Sequence, residues 1–108
     1  MATIKELSAA ESRAIEERFQ ALVVAWKADR GPSSFAADLS AHPAYQQIIA
    51  LGQPAVPLIL RELEREPDHW FAALRTITGE NPVPAESRGD VRGMAEAWLH
   101  WGRQQKLR

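Results

Sequence analysis

Residues Ile48 to Ile77 read IIALGQPAVPLILRELEREPDHWFAALRTI, and the punctuation of that stretch decides the fold. Gly52 suits the C-terminal turn of a helix that opens at Pro43 and carries Tyr45, Ile48, Ile49 and Leu51. Pro54 starts the next helix, which reaches about Arg65. Val56, Ile59, Leu60 and Leu63 fall on one stripe of it at helical period. Pro57 lies in the first turn, where a missing N–H costs little. Pro67 and Asp68 break the chain and restart it. A further helix, about His69 to Thr78, places Trp70, Ala73, Leu74 and Ile77 on one face, with Gly79 as its stop. The pattern predicts an antiparallel helix pair sharing one apolar seam.

Helices extend to either side. Ser8 and Glu11 have the spacing of a capping box. They precede a helix predicted from about Ala9 to Ala28, whose stripe is Ile15, Phe19, Leu22, Val23 and Trp26. Arg30 to Ser34 (RGPSS) ends it, and Ser34 to Ser40 has room for a short helical turn. After the Glu80–Gly89 loop (ENPVPAESRG), Asp90 can cap a last helix from Val91 to about Gln104, with Val91, Met94, Ala95, Trp98 and Trp101 on or near its apolar face. No run alternates apolar and polar residues long enough for a strand. The expectation is an all-α, compact bundle of about five helices.

The motifs Leu51-Gly52, Ala55-Val56-Pro57, Leu58-Ile59-Leu60, Leu63, Pro67-Asp68 and Ala72-Ala73-Leu74 resemble a HEAT-type helical repeat unit over residues 48–77. The resemblance implies a HEAT-like helix pair. Trp70-Phe71 departs from it, because such units usually carry Val-Arg there. A single pair cannot bury its own face. The first and last helices are therefore expected to close it as caps, giving one domain over 1–108 with its core in 8–105. A longer string, His42 to Gln46, His69 to Phe71, Ile77 to Pro82 and Ala97 to Leu99, is similar to small bacterial proteins with no assigned activity, which implies a bacterial context and nothing chemical.

Composition agrees with one globular domain: 108 residues, 45% hydrophobic and 25% charged. A net charge of −1 gives no bulk attraction for nucleic acid or an anionic membrane. There is no cysteine, which excludes disulfides, a thiolate nucleophile and cysteine-ligated zinc and fits a reducing cytoplasm. The N-terminus lacks an apolar leader core after a basic start. The longest apolar stretch, Ala21 to Trp26, is far too short to cross a bilayer.

Chemical motifs are sparse. Glu66-x-x-His69 has a di-iron ligand spacing, but Pro67 interrupts it, and Glu96 and His100 are four apart rather than three. Asp38, Ser40 and His42 are sequence neighbours, whereas a triad is defined in space. Ser40 or His42 more simply caps the helix at Pro43. The six glycines are scattered and form no phosphate cradle. The expectation is therefore no catalytic residue, no metal and no cofactor. Two arginine groups could serve nucleic acid, Arg61, Arg65 and Arg75 on one rim and Arg88, Arg92 and Arg103 on another, but Glu62, Glu64, Glu66 and Asp68 interleave with the first.

Four tryptophans are the most informative residues. They either fill the core of a small domain or form an exposed patch that docks a partner. The functional expectation is a non-enzymatic protein-binding module. It would bind itself or a partner protein through His69, Trp70, Phe71, Trp98 and Trp101, with Arg103 on the rim. The alternative is a nucleic-acid-binding regulator or antitoxin-like protein using Arg61, Arg65, Arg75, Arg88 and Arg92.

Overall fold

A computed structural model describes residues 8–29 and 36–107, with the side chains of 36–38 excepted. The expected helix stop at 30–34, residues 1–7 with the leader reading, and Arg108 lie outside the described residues. Among those described there is no strand, and none of the helices is long and apolar enough to cross a membrane.

The described residues form six α-helices in order: α1 (Ala9–Asp29), α2 (Ala36–Ala41), α3 (Pro43–Ala50), α4 (Val56–Arg65), α5 (Phe71–Thr78) and α6 (Val91–Gln104). The all-α bundle is what the sequence predicts. α1 packs on α3, α3 on α5, and α4 on α6. The capping box at α1 is formed in both directions: the Ser8 N–H donates to Glu11 Oε1 at 3.0 Å and the Glu11 N–H to Ser8 Oγ at 3.1 Å. Residues 9–14 are nonetheless exposed, and burial begins in earnest at Phe19. α1 thus runs past the body that it covers.

His42, not Ser40, caps α3. Its Nδ1 accepts the Ala44 N–H at 3.0 Å, and its Nε2 lies 2.9 Å from Asp29 Oδ2, which ties the end of α1 to the start of α3. Gly52 takes φ 77°, ψ −154°, a conformation close to glycine-only. The helix expected from Pro54 begins as a 3₁₀ turn over Gln53–Ala55 before α4. Pro57 has no N–H to offer the Gln53 carbonyl, so the Val56 N–H bonds it instead, one residue early. α5 starts at Phe71 rather than His69. The Asp68 side chain accepts the His69 N–H at 2.8 Å and the Asp68 carbonyl the Trp70 N–H at 2.9 Å, which holds those residues in a turn. Gly79 ends α5 in the left-handed region. Asp90 stands at the N-cap position of α6 without making a side-chain cap bond.

The chain after α6 turns back onto the body. The Leu107 N–H donates to the Gly102 carbonyl at 2.8 Å and the Lys106 N–H to the Arg103 carbonyl at 3.1 Å. This is the paired closure of a Schellman motif, with Lys106 at φ 60° where glycine is usual. Leu107 lies against the core and shares a shallow hollow with Pro57, Leu58, Arg61 and Glu64 of α4.

The core is aromatic at one end. Trp70 lies 4.7 Å from Trp26, 6.0 Å from Phe19 and, stacked, 6.0 Å from Tyr45, centroid to centroid. Trp26 donates its indole N–H to the Leu39 carbonyl at 2.9 Å. At the other end Trp98 meets Trp101 edge-on at 5.2 Å. Two of the acids that interleave with the first arginine group are buried, Glu62 and Asp68. Glu62 Oε2 accepts from Arg65 at 2.9 Å and from Gln20 of α1 at 3.4 Å. Those bonds are what make a buried carboxylate tolerable. Arg61–Glu16 and Lys27–Glu66 add two further links between α1 and the α4 segment.

Candidate functional site

Trp70 and Trp98 are completely buried, and Phe71 is 5% exposed. The expected aromatic docking face built on them is therefore corrected: their rings fill the core, where a small domain gains most from large apolar area. Trp101 is half-buried against Trp98, and Arg103 is exposed on the last turn of α6. His69 and Phe71 lie elsewhere, near the other end of α6, about 18 Å along the helix by its rise per residue. The six residues do not form one surface.

His69 and Phe71 do line an open cleft of about 360 Å³ between the start of α3, α5 and the beginning of α6. Phe71, Ala72, Val91 and Met94 supply its apolar wall, and Ser40, Tyr45, His69 and Arg75 its polar edge. Each part has a local cause. α6 carries an apolar stripe from Val91 to Trp101 that is longer than its seam with α4, where Ala95, Trp98 and Gly102 are buried. Val91 and Met94 overhang that seam and are only half-buried. Opposite them, Ala72 is too small to fill the gap. The overhanging part of the stripe was the signal in the sequence, but its consequence depended on where α5 came to rest.

The floor is fixed by Tyr45. Its hydroxyl donates to the His69 carbonyl at 3.0 Å and accepts the Ala73 N–H at 3.0 Å. Trp70 provides no side-chain cap for α5, so a hydroxyl from α3 satisfies a first-turn donor in its place. Burial pushes the phenol up to about 12, partly offset by the Ala73 bond and by Arg75.

Among the described residues Arg75 is the only Lys, Arg, Asp or Glu that lines the cleft, and it has no ion pair there. The other arginines proposed for nucleic acid are placed differently. Arg61 pairs with Glu16 and Arg65 with Glu62. Arg88 and Arg92 are exposed beside the cleft residues Gly89 and Val91, alternating with the exposed acids Glu86 and Asp90. Glu66 is paired with Lys27 at 2.9 Å, away from the ligand role its spacing suggested. His42 is the α3 cap, and the side chain of Asp38 lies outside the described residues. Among the described residues no three His, Asp or Glu side chains converge on a point that could hold a metal. Comparison with protein-family models, with curated proteins and with solved structures found no match for this chain.

Proposed function

We propose that the chain is a non-enzymatic protein-binding module that takes part of a partner protein into the cleft between α3, α5 and α6. The observation that carries this reading is an open cleft with an apolar wall and, on its edge, the cation of Arg75, which has no ion pair among the described residues. Interfaces concentrate their energy where an apolar anchor enters such a hollow beside a well-placed arginine. The reading includes residues 48–77 as a HEAT-type unit closed by α1 and α6. It also includes a bacterial, cytoplasmic setting, which rests on the cysteine-free composition and the resemblance described above. Self-association is one form of the same binding.

Nucleic acid is the weaker reading, because Arg61 and Arg65 already hold carboxylates and such pairs must break to free them. A photo-crosslinking amino acid placed at Met94, and in parallel at Val24, which is 66% exposed on α1, tests the proposal in the native host. Discrete protein adducts from position 94 that are missing from position 24 are expected. Identical adducts from both positions, or none from 94, refute it.

A further inference from the structure

The cleft also constrains the chemistry of what enters it, if the protein-binding reading above holds. Its wall of Phe71, Ala72, Val91 and Met94 accepts a branched or flexible apolar side chain, and a methionine in such a wall adapts to several shapes. The cleft is open along one side. A small molecule is normally enclosed over most of its surface, whereas a side chain projecting from an extended chain needs only one end buried. The charge at the edge is positive. The 86–92 segment beside the cleft carries two acids and two arginines in alternation, Glu86, Arg88, Asp90 and Arg92, and is neutral as a whole. The Asp68 carboxylate, beside His69 in the chain, is buried and acts on the Tyr45 hydroxyl with the opposite sign to Arg75, so what a partner meets at the edge is the exposed cation of Arg75 rather than a net charge. Its guanidinium has its donors free of any carboxylate among the described residues, ready for the two-point geometry that a carboxylate offers. Ser40 has a contact of its own and the His69 backbone is held by Tyr45 and Asp68; of the polar side chains on the edge, Arg75 is the one with a permanent charge to select with.

We infer that the occupant is an acidic peptide segment of another protein. A large aliphatic side chain, leucine, isoleucine or methionine, enters the cleft. An aspartate or glutamate within about two positions of it meets Arg75. The carboxylate sets the register and the aliphatic group supplies the buried area.

The test is selection from a random linear peptide library displayed on phage, run against the full chain and against two variants. Arg75→Glu reverses the selecting charge at an exposed position. Ala72→Phe adds a ring to the cleft wall without removing a core atom. Thermal melts establish first that both variants are folded. If one is not, Arg75→Gln or Ala72→Leu replaces it. Peptides enriched on the native chain are expected to carry an aliphatic residue next to an acid. They should lose about tenfold or more in affinity on Arg75→Glu, weaken as salt rises from about 50 to about 300 mM, and lose binding on Ala72→Phe. Enriched peptides without an acid, bound equally by Arg75→Glu but blocked by Ala72→Phe, overturn the acidic occupant while leaving the cleft as the binding site. Binding that survives Ala72→Phe, or a selection that yields nothing, overturns the cleft reading itself and the inference with it.

Discussion

Replacing Tyr45 with phenylalanine removes one oxygen and almost no volume, yet the structure assigns that oxygen two tasks. It accepts the N–H of Ala73, a residue with no exposed surface, and donates to the carbonyl of His69, which is half-buried. In Tyr45→Phe the Ala73 N–H has no other acceptor within reach, because it belongs to the first turn of α5, where no backbone carbonyl is available. An orphaned buried donor costs about 1–3 kcal/mol, and the second bond adds about 0.5–1.5 kcal/mol. A loss of about 2–3 kcal/mol is expected. With a urea slope of about 1.5 kcal/mol per molar for a domain of this size, the unfolding midpoint falls by roughly 1.5–2 M.

Alkali provides an independent check on the same oxygen. Tyr45 is the only tyrosine, so ultraviolet absorbance follows its ionisation alone. Burial raises the folded phenol to about 12, against about 10 in the unfolded chain. Below pH 10 both states keep the proton and the contribution to stability is complete. Between pH 10 and 12 the unfolded chain gives up its proton while the folded chain keeps it, so stability falls as pH rises. The total is about 2.7 kcal/mol for two pH units. Tyr45→Phe should lack this component, and its deficit relative to the native chain should shrink across the same window. A folded phenol that ionises near 10, together with a stability loss under about 0.5 kcal/mol, would refute the clasp.

Two further outcomes follow from the backbone and the indoles. Lys106 occupies the left-handed position of the α6 closure, so Lys106→Gly should raise stability by about 0.5–1 kcal/mol in urea unfolding; a loss would show that the side chain, not the backbone, governs that turn. Trp26 and Trp98 are both fully buried, but only Trp26 uses its indole N–H, on Leu39, while Trp98 finds no acceptor among the described residues. Trp26→Phe should therefore cost about 1–2 kcal/mol more than Trp98→Phe by the same measurement, and equal or reversed costs would count against the assigned bond.

What could be read from the residues was local. Ser8 with Glu11, Pro43 after His42, Gly52 and Gly79 each act through neighbours in the chain, and the helices begin and end within about two residues of where those signals put them. The features that escaped are those whose partners lie far away in sequence. Glu62 sits beside the stripe of Val56, Ile59, Leu60 and Leu63, and nothing in α4 shows that Gln20 of another helix will lie over it. The start of α5 depends on Tyr45, twenty-eight positions before its acceptor role at Ala73. The tryptophans were ambiguous for the same reason: spacing put Trp98 and Trp101 on one face of α6, but only packing decided that Trp98 would be enclosed and Trp101 left half-covered. The cleft is a mismatch between the length of the α6 stripe and the surface available to cover it, and a mismatch belongs to no single segment.

Tyr45's reach into α5 bears on how a chain of this kind can change by duplication. Helical arrays grow when a segment is copied and the copy stacks on the original, which requires each copy to contain what it needs. The segment 48–77 does not. The hydroxyl that completes the first turn of α5 lies three residues before the segment begins, and Trp70 is enclosed by Phe19, Trp26 and Tyr45, all outside it. A tandem copy would carry a helix start without its cap and an indole with nowhere to go. The stretch that most looks like an interchangeable cassette is bound to this one context, and lengthening the chain would require new residues at both places before a second copy could fold.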